Sequence, residues 1–202
     1  MVNCIFSGHC TEDGICNASC PALAQTSYLL ERNEISMNNP VFKMDLKEMN
    51  KYTTLLSASA GKLATVVVTG GLMTNQAADA LTYCAICENW RGSQLHCVVY
   101  NLKFSQYLDA TQKSWSFNND DSIVEYMKIW TRDAKVLIIS NLDFVNFRDF
   151  QCQTLLSLLQ SRVNTGNTTI VVTPTISSLV GDSQFFGRLT DTLKKQKVGE
   201  AS

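Results

Sequence analysis

Four short runs of apolar and β-branched residues alternate along the chain with longer segments whose apolar residues recur at helical spacing. A run of roughly four to eight such residues is typical of a strand buried in a parallel sheet. Strands that alternate with helices predict an α/β domain, a parallel sheet with helices on both faces. The predicted strands are residues 65–69, 95–100, 136–139 and 169–173; the predicted helices begin at residue 76 and span 104–112, 122–130, 151–163 and 183–195.

Two further helices are predicted before the first strand. Residues 22–32 have helical composition, and residues 43–63 predict a second helix followed by a Ser/Ala/Gly turn. Pro40 lies between them and disfavours helix at the residue that precedes it. We place a domain boundary near residue 45, between a head of residues 1–45 and a body of residues 46–202.

The composition indicates a globular protein with one ordinary domain and a small appendage. Of the 202 residues, 45% are hydrophobic and 17% are charged, and the formal charge is -1. This near-neutral balance gives no bulk electrostatic case for nucleic-acid binding. No apolar run approaches the roughly 18 residues of a membrane span, so we expect a cytoplasmic protein without a membrane partner. In that compartment, cysteines serve as metal ligands or buried thiols more often than as disulfides.

Four of the eight cysteines lie in the first 20 residues. Cys4, Cys10, Cys16 and Cys20 have the spacing C-x5-C-x5-C-x3-C, in a segment with too little apolar material to form a core. Four thiolates around one Zn²⁺ would order such a segment, because the free energy of metal binding then becomes folding free energy. A [4Fe–4S] cluster is the alternative, since Pro21 follows the last cysteine as in some ferredoxins. A flexible tail with free thiols is the third reading.

The first predicted strand is followed by a glycine turn and a helix, which is the frame of a phosphate-binding loop. In the signature G-x-x-x-x-G-K-[ST], backbone amides and the lysine hold phosphates and the hydroxyl binds Mg²⁺. Counted from Gly70, which is followed by Gly71, this chain has Asn75 for the second glycine, Gln76 for the lysine and Ala77 for the hydroxyl residue. The scaffold is therefore predicted without the side chains that would contact a nucleotide.

The order of these elements resembles the ATPase domain of the bacterial replicative-helicase loaders, which belong to the AAA+ group. In that family an acidic Walker B pair follows a strand similar to residues 136–139, and this chain has Ser140 and Asn141 there instead. The cysteine-rich head followed by Tyr-Leu-Leu at 28–30 also resembles the start of loader-like proteins from phages and mobile elements of Gram-positive bacteria. The resemblance covers nearly the whole chain.

The resemblance also suggests two arginines for contacts between subunits. Residues 185–189, Phe-Phe-Gly-Arg-Leu, are similar to the family's arginine-bearing segment, so Arg188 could act in trans on a neighbouring subunit. Arg162, at the end of the helix predicted at 151–163, is the second candidate. The competing readings are a surface helix residue for Arg188 and a residue that supports the helix dipole or an ion pair for Arg162.

The remaining cysteines are predicted to be core residues. Cys84 and Cys87 form C-x-x-C, which can indicate a redox or metal site, but inside an apolar helix the pair is more often buried. Cys97 and Cys152 are expected to act as small buried hydrophobic residues.

Two functions follow from these patterns. The first is a catalytically inactive loader-like protein, a pseudo-ATPase that needs no nucleotide and is not an enzyme, because the lysine, the Mg²⁺ hydroxyl and the acidic pair are all replaced. It would bind a replicative helicase or an active loader ATPase, or form a homo-oligomer, in the DNA replication of a phage or mobile element, as a loading factor or an inhibitor. The alternative is a single-stranded DNA-binding protein that uses the metal-bound head and a basic tail, formed by Arg188, Lys194, Lys195 and Lys197.

Overall fold

The computed structural model describes residues 21–59, 64–69, 74–91, 98–114, 122–142, 148–162, 167–174 and 197–201. Within these ranges the chain forms six α-helices, one 3₁₀ helix and five strands. The helices are α1 (Pro21–Arg32), the 3₁₀ helix (Pro40–Lys43), α2 (Leu46–Ser59), α3 (Thr74–Arg91), α4 (Phe104–Ser114), α5 (Ser122–Asp133) and α6 (Asp149–Arg162). The strands are β1 (Thr65–Thr69), β2 (Val99–Lys103), β3 (Val136–Ser140), β4 (Thr168–Thr173) and β5 (Lys197–Ala201).

The five strands form one parallel sheet in the order β2-β3-β4-β1-β5. β4 is the central strand, β1 lies between β4 and β5, and β2 and β5 are the edge strands. The predicted α/β class with a parallel sheet and flanking helices is thus confirmed for the described residues. A parallel sheet needs both faces covered, which explains why its strands are continuous apolar runs.

Alternating residues along each strand divide the core into two layers. Val67, Ile138 and Val172 point to the layer that contains α3 and the 3₁₀ helix. Val66 and Ile139 point to the opposite layer, with side chains from α4, α5 and α6. Each layer is formed by strand positions of one parity, as the two-residue period of a strand requires.

Residues 26–45 pack in the same unit as the sheet. Leu29 and Leu30 of α1 and Val41 of the 3₁₀ helix are almost fully buried in the α3 layer. Residues on both sides of the boundary that we predicted near residue 45 thus contribute to one core cluster, and the boundary itself stays a prediction. The four head cysteines precede α1 and lie outside the described residues.

The sequence-based strands agree with β1, β3 and β4 to within a residue at each end, whereas the second strand is displaced. We expected it at 95–100, and β2 spans Val99–Lys103. The apolar run suggested the earlier position, but the strand continues through two polar residues, Asn101 and Lys103, that have partners in the fold. β5 was not predicted, since its sequence, Lys-Val-Gly-Glu-Ala, contains no apolar run. The helix predicted at 183–195 lies outside the described residues.

No helix among the described residues is both long and apolar enough to cross a membrane.

Candidate functional site

The carboxyl ends of β1 and β4 mark the place where a ligand would bind in a sheet of this topology. The chain leaves β1 towards β2 at one edge and leaves β4 towards β5 at the other, so the direction of the connections reverses between two neighbouring strands. Ligands of open parallel sheets bind at such a switch point, outside the carboxyl ends of the strands. Val68 of β1 pairs there with Thr173 of β4. Gly70 and Gly71, which follow β1, lie outside the described residues.

The three replaced positions of the phosphate-binding signature lie in the first turn of α3. The helix begins at Thr74, so Asn75, Gln76 and Ala77 are already helical. Asn75 and Gln76 are exposed, while Ala77 is buried with 3% of its surface exposed. The side chain in the place of the Mg²⁺-binding hydroxyl is thus a methyl group packed in the core.

The two positions that correspond to the acidic pair have different environments. Ser140 ends β3, is 2% exposed, and donates a hydrogen bond from Oγ to Oδ1 of Asn101 over 2.7 Å. Asn141 is exposed and has a φ of 59°, a left-handed conformation that asparagine adopts more readily than most residues. Its Nδ2 lies 3.4 Å from Oγ of Ser105. Ser140 therefore belongs to the interior, and Asn141 lies at the surface directly after β3.

Ser140 is the first member of a polar chain that crosses the α3 layer. Asn101 accepts from Ser140 and its Nδ2 lies 3.5 Å from Oδ1 of Asp79 on α3. Oδ2 of Asp79 accepts from Nδ2 of Asn39 over 2.8 Å. Burial raises the pKa of Asp79, and the hydrogen bond from Asn39 acts in the opposite direction. These four side chains, the Ser140–Asn39 polar chain, connect β3, β2, α3 and the segment before the 3₁₀ helix.

The four side chains of the polar chain hydrogen-bond with one another, which limits the chemistry that they can perform. A hydroxyl, two amides and one carboxylate are hydrogen-bonded in sequence, so the arrangement positions four elements relative to one another. Sequence reasoning missed Asp79 and Asn101. The available signal was a polar residue inside an apolar strand and an acid inside an apolar helix, both of which indicate a buried partner.

Arg162 is buried in the interior of the fold. Its surface is 2% exposed, and its guanidinium donates to carbonyl oxygens of α5 and the residue after it and to the beginning of β4. The acceptors are Thr169 Oγ1 at 2.8 Å and the carbonyl oxygens of Thr131, Arg132, Ala134 and Thr168 at 2.5, 3.2, 2.7 and 3.2 Å. Burial lowers the pKa of Arg162 to about 10, which still leaves the group charged at neutral pH. Arg162 thus caps the end of α5 and joins it to β4.

The described cysteines are buried. Cys84, Cys87 and Cys152 form no disulfide and have at most 1% of their surface exposed, which confirms that the helical C-x-x-C is part of the core. Cys97, Arg188 and the head cysteines Cys4, Cys10, Cys16 and Cys20 lie outside the described residues. Among the residues that the structure does describe, no group of three or more potential metal ligands comes together.

A comparison with protein-family models finds no match for this chain, and neither does a comparison with curated protein sequences. Function must therefore be argued from the residues and their geometry.

Proposed function

We propose that this chain is a catalytically inactive, P-loop-type protein of the helicase-loader kind, which acts by binding a partner in DNA replication. The observation that carries the proposal is the position of Ser140. The residue that ends β3, where a phosphoryl-transfer enzyme of this type needs a carboxylate for Mg²⁺, is a buried hydroxyl hydrogen-bonded to Asn101.

The replaced positions of α3 support the same proposal. Phosphoryl transfer depends on positioned positive charge and a bound metal ion, because there is little covalent chemistry for the protein to perform. Gln76 is neutral, and Ala77 offers no oxygen and is packed in the core. Asp79 supplies a carboxylate nearby, but it accepts a hydrogen bond from Asn39 and belongs to the polar chain. No nucleotide cofactor is expected for a site with these residues.

We propose that the head carries the contact with the partner. Cys4, Cys10, Cys16 and Cys20 supply a complete tetrahedral thiolate set for Zn²⁺, and the alternative is a [4Fe–4S] cluster. Cys20 directly precedes α1, whose Leu29 and Leu30 are fixed in the core. The head is therefore joined directly to a helix that packs in the core.

The proposed contact in trans is assigned to Arg188. The role in trans that the resemblance also suggested for Arg162 would require its guanidinium to leave five acceptors in its own chain. If an active loader ATPase is the partner, adding this protein should raise the ATP turnover of that partner, and Arg188→Ala should lower the stimulated rate at least about tenfold. Lys194→Ala, in the same basic tail, is the control. Equal rates for both variants would assign no such role to Arg188.

The central experiment measures ATP turnover and helicase binding with the same preparation. Phosphate release should stay at background while an active helicase loader, assayed alongside, turns over. The tagged, nuclease-treated protein should retain a purified replicative helicase of a Gram-positive bacterium on a sensor surface. Turnover that Gln76→Ala abolishes would contradict the inactive reading, and failure to bind either helicase or loader ATPase would contradict the interaction.

The role of the head is tested separately. Elemental analysis of anaerobically purified protein should find about one zinc per chain, and Cys16→Ser should lose both the metal and helicase binding. Ser19→Ala, in the same segment, should keep both. Stoichiometric iron with a visible absorption band would identify the cluster instead, and protein without either metal would contradict a metal-bound head.

The alternative function, single-stranded DNA binding by the head and the basic tail, predicts a different result. Fluorescence anisotropy with a labelled oligonucleotide would then show an affinity that falls steeply with salt. The net charge of -1 disfavours this function as the main activity.

A further inference from the structure

The outward face of α5 is more apolar than a solvated helix face. Ile123, Tyr126 and Ile129 are 62%, 38% and 45% exposed, and successive members are three residues apart on the helix. The opposite side of α5 is buried through Val124 and Thr131. α5 thus packs against the body with one stripe and presents a second apolar stripe to the surroundings.

The exposed stripe continues onto α1 through aromatic rings. The ring of Trp130 lies 5.7 Å from that of Tyr126 and 6.4 Å from that of Tyr28, which is 51% exposed. The guanidinium of Arg32 lies over both rings, 3.8 Å from the centre of Tyr126 and 4.7 Å from that of Trp130. Stacking holds these side chains in place, so little conformational entropy would be lost when a partner covers them.

This α5–α1 patch, formed by Tyr28, Arg32, Ile123, Tyr126, Ile129 and Trp130, concentrates the exposed apolar surface of the described residues. Four of the six large hydrophobic side chains that are exposed there belong to it; the other two are Met37 and Leu46. Tyrosine, tryptophan and arginine are also the residues that contribute most to protein–protein binding. A contiguous patch of this kind is typical of an interaction site.

The charges beside the stripe indicate which partner fits. Glu125 and Arg132 are seven residues apart, and both are exposed on the same flank of α5. Their ion pairs, with Lys128 and Asp133 respectively, join neighbours within the same helix at the surface. Such pairs contribute little and can be exchanged for others.

An antiparallel pair of α5 helices makes these charges complementary. If the helices cross between Lys128 and Ile129, Glu125 of one copy faces Arg132 of the other, twice by symmetry. The same crossing brings Tyr126 of each copy to Ile129 and Trp130 of the other. The two-fold rotation places the acid of each copy against the base of the other. The surface is therefore complementary to itself, as an isologous interface requires. Adjacent acidic and basic groups also make a poor track for a phosphate backbone, which favours a second copy over nucleic acid.

We propose that the α5–α1 patch is a homodimer interface, with α5 packed antiparallel against α5 of a second copy. Its two functional features are the apolar stripe, which supplies the affinity, and the Glu125–Arg132 pairs, which fix the antiparallel direction. The dimer does not depend on the helicase or on the metal-bound head proposed above.

Sedimentation equilibrium of the full chain tests the apolar stripe. The wild-type protein should show a monomer–dimer equilibrium, and Ile129→Asp should weaken the dimer about tenfold or more, as expected for a central interface residue. Leu46→Asp is the matched control, because Leu46 is 67% exposed on α2, which packs with α3 on the other layer. It should leave the equilibrium unchanged. A wild-type monomer at all concentrations would overturn the proposal, as would equal effects of the two variants.

A charge exchange tests the direction of the pairing. Glu125→Arg alone and Arg132→Glu alone should each weaken the dimer, because like charges then face one another across the axis. Glu125→Arg combined with Arg132→Glu should restore it, since the opposite charges are regained with their places exchanged. A double variant as weak as either single variant would overturn the antiparallel arrangement. A monomeric protein that binds labelled oligonucleotide through Tyr126 and Trp130 would assign the patch to nucleic acid instead.

Discussion

The side chain of Asn33 pairs with the backbone of β2 around Asn101, which is 68 residues later in the chain. Oδ1 of Asn33 accepts from the backbone N–H of Asn101 over 2.6 Å, and its Nδ2 donates to the carbonyl oxygen of Val99 over 3.0 Å. β2 is an edge strand, and an edge leaves backbone groups that invite pairing with another chain. One amide thus replaces a neighbouring strand, and the adjacent Glu34 forms an ion pair with Lys103 further along the same edge.

Removal of this amide should destabilise the fold. Asn33 is 2% exposed, so Asn33→Ala leaves a buried N–H and a buried carbonyl of β2 without partners. We expect a loss of about 3 kcal/mol in the free energy of unfolding, the sum of two unsatisfied groups at roughly 1–2 kcal/mol each. Urea denaturation measures this directly.

Asn38→Ala is the matched control, because Asn38 is exposed in the segment that follows. It should change the stability by no more than about 0.5 kcal/mol. Equal values for the two variants would mean that the edge is not protected by Asn33.

Arg162 predicts a second large stability effect. Arg162→Met keeps much of the volume but leaves the carbonyl oxygens of Thr131, Ala134 and Thr168 without a donor in the interior. We expect a loss of about 3 kcal/mol or more, because a charged group with several hydrogen bonds is lost from a buried site. Arg148→Met, at an exposed position before α6, should be nearly neutral in the same thermal and urea unfolding measurements. A stable Arg162→Met variant would show that solvent or other groups satisfy these carbonyls.

The sheet could be predicted from sequence because its strands are buried on both faces. Val66, Ile138 and Val171 belong to short, continuous apolar runs, which are typical of buried strands. Three strands were therefore predicted to within a residue at each end. β2 and β5 are the edge strands, and both were misjudged. An edge strand is stabilised by partners far away in sequence, such as Asn33 for β2, and a pattern along one strand does not contain that information.

The candidate site was predictable only as a set of replacements. The sequence identifies Gln76 and Ser140 as substitutes for a lysine and an acid, but it does not say what the substitutes do. Ser140 acquires its partner, Asn101, only through the pairing of β3 with β2, 39 residues away. For Arg162 the sequence suggests a contact in trans, or else a role in the helix dipole or an ion pair, and the structure adds the non-local acceptors of its guanidinium.

Thiol reactivity should separate the described cysteines from exposed ones. Burial raises the pKa of Cys152 to about 11, and Cys84 and Cys87 are equally enclosed. At pH 8 a thiol with that pKa is only about one-thousandth thiolate, which is the reactive form. Peptide mapping after iodoacetamide treatment should find these three cysteines unmodified in native protein and modified in urea. Rapid labelling of Cys152 in the native protein would contradict its burial.

Asp79 should make stability depend on pH in an unusual direction. Its pKa is raised by burial in the fold, so the folded state binds the proton more tightly than the unfolded state does. The stability contributed by this group is therefore largest at low pH and falls as pH rises from about 4 through the folded pKa. Asp79→Asn should remove this component, so that wild type loses stability relative to the variant as pH rises.

Urea denaturation at several pH values between the ordinary carboxyl pKa and neutrality measures that difference. Asp109→Asn is the control, because Asp109 is exposed on α4. If wild type instead gained stability relative to Asp79→Asn as pH rises, hydrogen bonds to the ionised carboxylate would outweigh burial.

Ser140 and Asn141, which stand where the acidic pair would be, should respond differently when each is replaced by an acid. Ser140→Asp places a carboxylate in a 2% exposed position beside Oδ1 of Asn101, which repels it, with no cation among the hydrogen-bond partners described there. We expect a loss of about 3 kcal/mol or more, because the carboxylate is desolvated and Lys103, the residue opposite on β2, already pairs with Glu34. Asn141→Asp keeps a side chain that tolerates a φ of 59° at an exposed position, and it should stay within about 0.5 kcal/mol of wild type.

Unfolding free energies measured side by side decide between a structural and a vestigial role for Ser140. Ser140→Ala adds a second comparison: it removes the donor to Asn101 without adding charge and should cost about 1 kcal/mol. If Ser140→Asp were as stable as Asn141→Asp, the end of β3 would be open enough for a metal-binding carboxylate. The proposed loss of catalysis would then rest on α3 alone. A large and specific loss for Ser140→Asp would mean that the polar chain has taken over the position, so that catalysis could not return by restoring the acid.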